Sequence, residues 1–423
     1  MVFHGIDWIT GRKDRIGSMN SCMSAYKISS NVYWVGAIDW NIRDFHGYKT
    51  ARGSTYNAYL ITGSKNILID TVKRPFYDEM IARISSVILP ENIDYIISNH
   101  AEMDHSGSLD LAIKECSPSK VYVSTMGKKA LKAHFHDRID FSIFEEVSGK
   151  SLDIDEAHFD FVETRMLHWP DSMMSYYRNE GILFSQDGFG MHLASSERFF
   201  DELDPSLLYE EASRYYANIL LPFSPVVDKQ VNSLVGLNLD IKIIAPDHGP
   251  IIRRSLDIQT VISNYLKWAK QIPVSKAVVV YDTMWQSTET MARAIVDGIC
   301  SKGVKVVSIK MKSSHRSDLA AEILESGALV VGSPTINRNI YPTIADGMCY
   351  LKGLAPKNKL AYSFGSYGWS GEAVGILGGY FDEMRLDKKE GLKVNYVPTT
   401  QDLIKCFDYG VSIGNDILGR IEN

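Results

Sequence analysis

Four strand-like runs in the N-terminal part of the sequence lead directly to side chains that commonly bind metal ions. The runs are DYIISNH, FVETRML, GILFSQ and IKIIAPD, and histidine, aspartate or glutamate stands at or just beyond the end of each. Loops at the ends of buried strands can bring side chains from distant parts of a sequence to one point. We therefore predict one site formed by seven candidate ligands, which are His100, Glu102, Asp104, His105, His168, Asp187 and His248.

The H-x-E-x-D-H cluster at residues 100–105 is the strongest of these signals, because it places four ligand-type side chains within six positions. Four adjacent ionisable groups at the end of an apolar run would be costly to desolvate without cations. The seven candidates are four histidines and three carboxylates with no thiolate, a set that suits iron or manganese and also tolerates zinc. Since a carboxylate has two oxygens and can bridge two cations, we expect one of the seven to bridge.

A histidine considered alone is more often a surface residue or a satisfied core residue than a ligand. His168, Asp187 and His248 are therefore predicted as ligands because they accompany the cluster at residues 100–105. The other histidines keep the ordinary interpretation, and they are His4, His46, His134, His136, His158, His192 and His315.

Three loops rich in hydroxyl and aromatic side chains follow strand-like runs in the C-terminal part of the sequence. The first, TMWQST at residues 283–288, opens into a helix, whose N-terminal N–H groups suit a phosphate dianion. Each loop alone could cap a helix or pack a ring, but three loops in register match the phosphate cradle and ring-covering loops that FMN needs. No G-x-G-x-x-G or Walker lysine loop follows the first strand, which disfavours a dinucleotide or a nucleoside triphosphate. The predicted FMN residues are Thr283, Met284, Trp285, Gln286, Ser287, Thr288, Pro334, Thr335, Ile336, Asn337, Ser366, Tyr367, Gly368, Trp369 and Gly371.

Two scaffolds are needed to position these side chains. Over residues 25–268, eight or more short apolar runs alternate with polar segments and with helix candidates around 76–87 and 109–115, which indicates an α/β or α+β core. The arrangement of strand and helix candidates changes near residues 270–276, where we place a domain boundary. Beyond it, five strand candidates, each followed by a helix candidate, predict a doubly wound parallel sheet. These strands cover residues 277–282, 304–310, 328–333, 359–365 and 392–397.

Composition narrows the class of protein further. The chain has 423 residues, 45% of them hydrophobic and 23% charged, with a net charge of -6. No strong basic field favours nucleic acid as a partner, and no apolar stretch approaches the ~18–20 residues of a membrane span. Since the N-terminus also lacks the pattern of a secretory signal, we expect a cytoplasmic protein with neither a nucleic-acid nor a membrane partner. The five scattered cysteines form no C-x-x-C pair, so we expect reduced, mostly buried thiols and no built-in rubredoxin.

The order H-x-E-x-D-H, then a distant histidine, aspartate and histidine, resembles the diiron domain of flavodiiron proteins, an offshoot of the metallo-β-lactamase superfamily. Hydrolytic members of that superfamily usually read H-x-H-x-D-H, so Glu102 resembles the iron-binding branch. The stretches LHWPDSM (residues 167–173) and LFSQDGFG (183–190) are also similar to the family, although Gln186 and Gly188 depart from its common pattern around Asp187. The loops TMWQST, GSPTIN and GSYGWSGE resemble the FMN loops of the same family.

This resemblance implies an α/β protein with two domains after an N-terminal extension over residues 1–24. A metallo-β-lactamase-like αββα sandwich would cover residues 25–270, and a flavodoxin-like, doubly wound parallel five-stranded sheet with FMN would cover 275–423. Of two irons, one would be held by His100, Glu102 and His168, and the other by Asp104, His105 and His248, with Asp187 bridging. In some members the histidine corresponding to His105 leaves the metal and water takes its place. Trp369 would cover the isoalloxazine ring.

The function implied is that of a flavodiiron oxidoreductase, which reduces dioxygen to water, nitric oxide to nitrous oxide, or both, and so detoxifies these gases. The family pairs head to tail, which implies a homodimer or a homotetramer of two such dimers. Electrons would come from an external rubredoxin, a flavin reductase or a reduced deazaflavin. Two alternatives stay open at this point: a zinc-dependent metallo-β-lactamase-type hydrolase fused to a flavodoxin domain, and a pure electron carrier.

Overall fold

The structure is a computed structural model that describes residues 23–422. The extension expected over residues 1–24 therefore lies outside the described residues except for its last two positions, and His4 and Cys22 lie outside as well. The described chain divides into two units. The first unit comprises residues 23–44, 50–212 and 226–264, and the second comprises residues 45–49, 213–225 and 265–422.

Two sheets form the framework of the first unit. The first sheet has the strand order β1-β2-β7-β8-β9-β10-β11, and the second has the order β12-β13-β14-β15-β16. The strands of the first sheet are β1 (Tyr26–Lys27), β2 (Val32–Trp34), β7 (Tyr59–Ile61), β8 (Ile67–Ile69), β9 (Tyr95–Ser98), β10 (Lys120–Val123) and β11 (Phe144–Glu146). Those of the second are β12 (Ser151–Ile154), β13 (Ala157–Glu163), β14 (Met173–Tyr177), β15 (Ile182–Gln186) and β16 (Ile243–Pro246). Short ribbons pair β3 (Ala37–Asp39) with β6 (Ser54–Tyr56), and β4 (Asp44–Phe45) with β5 (Tyr48–Lys49).

The two sheets pack face to face because their strands alternate apolar residues towards a shared core. In β13, for example, Phe159 and Phe161 are buried, whereas His158 and Asp160 are half-buried. Side chains from both sheets meet in one hydrophobic cluster, and the opposite face of the first sheet forms a second cluster with three helices. On the second sheet the central strands β14 and β15 are buried on both faces, whereas the edge strand β12 is partly exposed. This layering confirms the predicted αββα sandwich.

The helices of this part of the chain begin and end close to sequence signals. In α1, Asp78 and Glu79 lie in the first turn and Arg83 in the last, which suits the helix dipole. The α-helices are α1 (Tyr77–Ser85), α2 (Met103–Ser106), α3 (Leu109–Cys116), α4 (Thr125–Phe135), α5 (Pro205–Tyr215), α6 (Ser224–Gly236) and α7 (Ser255–Lys270). A π-helical turn spans Tyr216–Leu220, and short 3₁₀ turns span Arg74–Phe76, Pro90–Asn92, His136–Arg138, Phe141–Ile143, Phe200–Glu202 and Leu221–Phe223.

The second unit contains the predicted doubly wound parallel sheet. Its order is β18-β17-β19-β20, with β21 and β22 both pairing in parallel with β20. The fifth position of the sheet is therefore shared by two short strands, where the sequence predicted one. The strands are β17 (Val274–Tyr281), β18 (Lys305–Lys310), β19 (Ser326–Gly332), β20 (Leu360–Tyr367), β21 (Asp387–Lys388) and β22 (Leu392–Asn395). This is the flavodoxin-like strand order.

A helix follows each position of this sheet, as predicted. In the first of them Met291, Ile295, Gly298 and Ile299 are buried and form one face of the helix. The helices are α8 (Ser287–Cys300), α9 (Arg316–Ile323), α10 (Pro342–Leu354), α11 (Ala373–Glu383) and α12 (Thr400–Glu422), with a 3₁₀ turn at Met311–Ser313.

The cysteines only partly match the expectation. Cys116 and Cys406 are buried, and among the described residues all four cysteines are free thiols. The expectation of mostly buried cysteines is wrong for Cys300 and Cys349, which are exposed. Within residues 23–422, no helix combines the length and the apolar character that crossing a membrane would require.

Lys359, at the start of the fourth strand position, is an unusual core residue. Its side chain is 1% exposed, and its Nζ donates a hydrogen bond to the backbone oxygen of Leu324 at 3.0 Å. Burial lowers the pKa of Lys359 to about 7, an effect opposed by Glu325 and increased by Lys276.

We expect Lys359→Met to stabilise the second unit at pH 7 and to flatten the pH dependence of its stability. Above the folded pKa of about 7 the amine of Lys359 is neutral in the native protein. In the unfolded chain the same amine keeps its proton up to its ordinary pKa of 10.5. The stability of the wild type should therefore rise with pH between these two values. The slope contributed by this one group approaches ~1.4 kcal/mol per pH unit. Denaturant unfolding of both proteins at pH 7 and at higher pH measures the difference, and parallel profiles would contradict it.

Candidate metal centre and cofactor cavity

The first unit brings all seven predicted metal ligands together. The turn after β9 and the short helix α2 carry the four side chains of residues 100–105, and the other three candidates lie in loops after β13, β15 and β16. Six of the seven residues are buried, and the side chain of His168 is 12% exposed. The ligand atoms form two groups, each with all atoms within 4.8 Å of one another.

The first group contains His100, Glu102, His168 and Asp187. The Nε2 atoms of His100 and His168 lie 3.4 and 3.2 Å from the same carboxylate oxygen, Oε2 of Glu102. They also lie 3.3 and 2.8 Å from Oδ2 of Asp187. Two imidazole nitrogens and two carboxylate oxygens thus face a common point.

The second group contains Asp104, His105 and His248. Oδ2 of Asp104 lies 3.4 Å from Nε2 of His105 and 3.1 Å from Nε2 of His248. The same two nitrogens lie 3.1 and 3.4 Å from Oδ1 of Asp187. One oxygen of Asp187 therefore faces the first group and the other faces the second, which is the geometry of a carboxylate between two cations.

The outer nitrogens of two histidine rings contact acceptors that orient the rings, and the outer nitrogen of a third ring faces a carboxylate at a longer distance. Nδ1 of His100 lies 2.9 Å from Oδ2 of Asp171, and Nδ1 of His248 lies 2.5 Å from the backbone oxygen of Thr55. Nδ1 of His105 lies 3.5 Å from Oδ2 of Asp247. An acceptor behind Nδ1 keeps the proton on that atom, so that Nε2 is left with a lone pair towards the centre.

Gln186 connects two of the ligand loops. Its Nε2 donates to the backbone oxygen of Leu167 at 2.5 Å, beside His168, and its Oε1 accepts from the backbone N–H of Asp187 at 2.7 Å. The residue that departs from the common family pattern thus holds the loop of one candidate ligand against the backbone of another.

Sequence reasoning missed these supporting residues. Asp171 and Asp247 stand close to ligand positions in the sequence, and a search for acceptors beside the ligands could have proposed them. His192, treated as an ordinary histidine, is fully buried with its Nδ1 2.8 Å from Oγ of Ser54 and its ring 4.5 Å from the ring of His248. Burial and the nearby His248 lower the pKa of His192 well below its ordinary value. No sequence signal marked this position.

Charge governs the chemistry of the cluster. Burial alone would lower the pKa of His100, but the adjacent carboxylates of Asp171, Asp187 and Glu102 raise it well above the ordinary value. The pKa of His105 is also raised, to about 9, because the effect of the Asp104 and Asp187 carboxylates is larger than the opposite effect of burial. Burial would raise the pKa of Asp187, but the surrounding histidines hold it well below the usual range. The carboxylates thus attract positive charge, for which protons and metal ions compete.

The donor set fits a pair of metal ions. Several buried polar atoms that face the centre have no hydrogen-bond partner among the described residues: Nε2 of His100, Nε2 of His105, both carboxylate oxygens of Asp104 and Oδ1 of Asp187. Buried polar atoms are rarely left unsatisfied, and cations would satisfy all of these together. Nitrogen and carboxylate donors without thiolate suit iron.

We expect Asp171→Leu to weaken metal binding at the first group. Oδ2 of Asp171 contacts Nδ1 of His100 and also accepts from the backbone N–H of Ala101 at 2.7 Å, so its loss frees both the ring and the turn that carries it. Losing a partner of this kind typically costs 10–100-fold in metal affinity. Chelator competition measures the affinity, with Asp240→Leu as control because the side chain of Asp240 is 84% exposed. Equal affinities in wild type and Asp171→Leu would contradict the expectation.

The second unit contains a cavity of about 450 Å³ at the carboxyl ends of its central strands. Ten of the fifteen predicted flavin residues line it, and they are Thr283, Met284, Trp285, Ser287, Pro334, Thr335, Ser366, Tyr367, Gly368 and Trp369. Tyr396 and Val397 also line it but were not predicted. They follow β22, so the rule that ligands bind beyond the carboxyl ends of parallel strands could have identified them.

The other five predicted flavin residues do not line this cavity and lie in or beside its loops. Gln286 immediately precedes α8, and Thr288 is buried with its hydroxyl 2.9 Å from that of Ser366. Gly371 has a φ of 110°, and an added Cβ would lie 3.0 Å from the ring of Tyr367. The remaining two are Ile336 and Asn337.

Exposed aromatic rings surround the cavity. Trp285 is 89% exposed and Trp369 is 90% exposed, far more than rings that serve a core. Large exposed apolar groups around a concave site mark a binding surface, and planar rings suit a flat aromatic ligand. Ser287 begins α8 at one wall of the cavity, where N-terminal N–H groups are available to an anion.

Fold and sites together define a two-domain metalloflavoprotein, in which one unit has a paired metal centre and the other a flavodoxin-type cavity. Family models agree: residues 55–249 match the ODP family beta lactamase, and residues 279–410 match flavodoxin. This chain belongs to the flavodiiron proteins, which confirms the family predicted from the sequence.

Three comparisons support the assignment. The nitric oxide reductase of Moorella thermoacetica is 43% identical over 390 residues, covering 91% of this chain and 97% of that protein. The structure of rubredoxin oxygen:oxidoreductase from Desulfovibrio gigas has a TM-score of 0.92 and 40% identity, covering 95% of this chain and 100% of that one. The flavodiiron protein of Giardia intestinalis has a TM-score of 0.90 and 33% identity, covering 95% and 98%.

Proposed function

We propose that this chain is a flavodiiron oxidoreductase that reduces dioxygen to water and nitric oxide to nitrous oxide at a diiron centre supplied with electrons by FMN. The observation that carries the proposal is the position of Asp187, whose two oxygens face two separate groups of ligand atoms. The related proteins named nitric oxide reductase and rubredoxin oxygen:oxidoreductase support the same two activities.

In this proposal the two groups hold one iron each. His100, Glu102 and His168 would hold the first iron, Asp104, His105 and His248 would hold the second, and Asp187 would contribute one carboxylate oxygen to each. Iron held in these two groups would supply the redox chemistry for a diatomic gas and, with FMN, the four electrons that full reduction of dioxygen needs. The chain's own contribution is to orient the imidazole rings through Asp171 and Thr55 and to keep the ligand atoms buried.

FMN would occupy the cavity of the second unit. The hydroxyls and N–H groups of residues 283–288 would hold its phosphate at the start of α8. Trp369 and Tyr396 would flank the isoalloxazine ring, since both line the cavity and both are exposed in this structure. The five predicted residues outside the cavity lining would support the loops rather than touch the ring.

We further propose the assembly and setting of the enzyme. The diiron domain covers residues 25–270 and the FMN domain covers 275–423, and two chains pair head to tail as a homodimer, or as a homotetramer of two such pairs. The protein works in the cytoplasm and receives electrons from a rubredoxin, a flavin reductase or a reduced deazaflavin. The name of the Desulfovibrio gigas relative supports a rubredoxin. Full gas reduction by a monodisperse monomer would contradict the pairing.

Anaerobic preparation with measured iron and FMN, followed by consumption of each gas with a reduced donor, tests the function. We expect two irons and one FMN per chain and loss of both gases. Zinc as the sole bound metal, with no gas reduction after iron loading, would favour the hydrolase alternative instead. That alternative already fits less well, because Glu102 stands where the hydrolases usually have histidine.

A further inference from the structure

His105 is a candidate ligand whose contact with the centre depends on the orientation of its ring. Its backbone is held, because its carbonyl oxygen accepts from the backbone N–H of Thr71 at 3.0 Å and from the hydroxyl of the same residue. Its Nε2 faces Oδ1 of Asp187 at 3.1 Å. What could still change is the rotation of the imidazole away from the centre.

Asp247 lies directly behind this ring. Its Oδ2 is 3.5 Å from Nδ1 of His105, and its side chain is fully buried. The backbone of Asp247 is held on both sides, since its N–H donates to the oxygen of Gln186 at 2.8 Å and its oxygen accepts from the N–H of Asn57 at 2.7 Å. The carboxylate therefore has a defined place from which to contact the histidine.

The polar atoms between these two residues are otherwise unused. Among the described residues, neither oxygen of Asp247 and neither ring nitrogen of His105 has a hydrogen-bond partner. Asp70, another buried carboxylate of this region, differs because its oxygens accept from the N–H and the side-chain amide of Asn99 at 2.7 and 2.9 Å. At 3.5 Å the contact of Asp247 is longer than a hydrogen bond, but a shift of a few tenths of an ångström would form one.

A histidine that binds a metal through Nε2 carries its proton on Nδ1, where an acceptor orients the ring. From these contacts, and on the basis of the proposed diiron function, we propose that Asp247 is a positioning residue that holds His105 on the second iron. Asp171 stands in the same relation to His100 at the first group. Each iron position would thus have one histidine backed by a buried aspartate.

Iron binding by matched variants tests this role without relying on activity. Asp247→Leu removes the acceptor, Asp247→Ala removes it with a smaller side chain, and Asp247→Asn keeps a carbonyl oxygen that can accept from Nδ1. Asp171→Leu perturbs the other iron position, and Asp240→Leu, at a side chain 84% exposed, is the surface control. Each full-length protein is loaded anaerobically with isotopically enriched iron, and its affinity and Mössbauer spectrum are recorded together with its FMN content.

We expect Asp247→Leu and Asp247→Ala to bind one of the two irons 10–100-fold more weakly, the range for loss of a partner beside a ligand. In these two variants one of the two components of the Mössbauer spectrum should change, and in Asp171→Leu the other component should change. The FMN content should stay constant in all of them. Asp247→Asn should restore the wild-type spectrum. The inference would be overturned if a folded Asp247→Leu or Asp247→Ala protein kept the wild-type iron affinity and spectrum. It would also be overturned if Asp247→Asn bound iron as weakly as those two variants. A wild-type protein that takes up no pair of irons would overturn the proposed function itself, and this inference with it.

Discussion

Replacing Asp187 with alanine should abolish the reduction of dioxygen and nitric oxide while FMN remains bound and reducible. In the proposed centre this side chain gives one oxygen to each iron, so its loss removes a ligand from both positions at once. It also removes the negative charge that offsets repulsion between the two cations. We expect turnover to fall by more than the ~10–100-fold that follows loss of a partner beside a ligand. Gas consumption with a reduced donor, together with iron and FMN content, measures the effect.

Two comparisons make this result specific. Asp240→Ala, at a side chain 84% exposed on the same unit, should leave gas consumption and iron content at wild-type values. Undiminished gas reduction in Asp187→Ala would contradict the diiron proposal. It would favour the electron-carrier alternative, in which the first unit serves only as a binding module. Loss of FMN in the same variant would instead indicate a general failure to fold.

The convergence of the candidate ligands was predictable because each of them follows a strand. A strand that ends at Ser98 or Gln186 must deliver the next residues to the edge of its sheet, whatever the details of packing. Relations across the sheets were not predictable in this way. That Thr55 accepts from His248 depends on the approach of strand β6 to a loop 193 residues further along the chain, and no local pattern encodes it.

The second unit was more predictable than the first because its contacts are more local. Strand and helix alternate with one connection each, so a parallel sheet with right-handed crossovers follows from this alternation. The fifth strand position of this sheet was not fully predictable, because two short strands share it. The two residues of β21, Asp387–Lys388, carry no apolar signal and are exposed, so only pairing with β20 identifies them as a strand.

Replacing Gly365 with alanine should weaken FMN binding and leave the metal centre intact. Gly365 lies in β20 beside the loop after β19, and an added Cβ would lie 2.0 Å from the backbone oxygen of Ser333. That loop is tied to β20 by hydrogen bonds from the N–H of Ser333 to Phe364 at 3.0 Å and from the N–H of Thr335 to Ser366 at 3.1 Å. A methyl group at this point must push the loop away from the strand.

Because Thr335 and Ser366 both line the cavity, that displacement acts directly on the flavin site. Overpacking of this kind typically costs ~1–3 kcal/mol, which corresponds to ~5–150-fold in FMN affinity. Titration of the FMN-free protein with FMN, followed by flavin fluorescence, gives the affinity, and metal analysis gives the iron content. Gly375→Ala on α11, where an added Cβ meets nothing within 4 Å, is the matched control and should bind FMN normally. Unchanged FMN affinity in Gly365→Ala would contradict the cavity assignment. Loss of FMN with full iron content would be the reverse of the Asp187→Ala result. Together, the two results would assign the two cofactors to separate units of the chain.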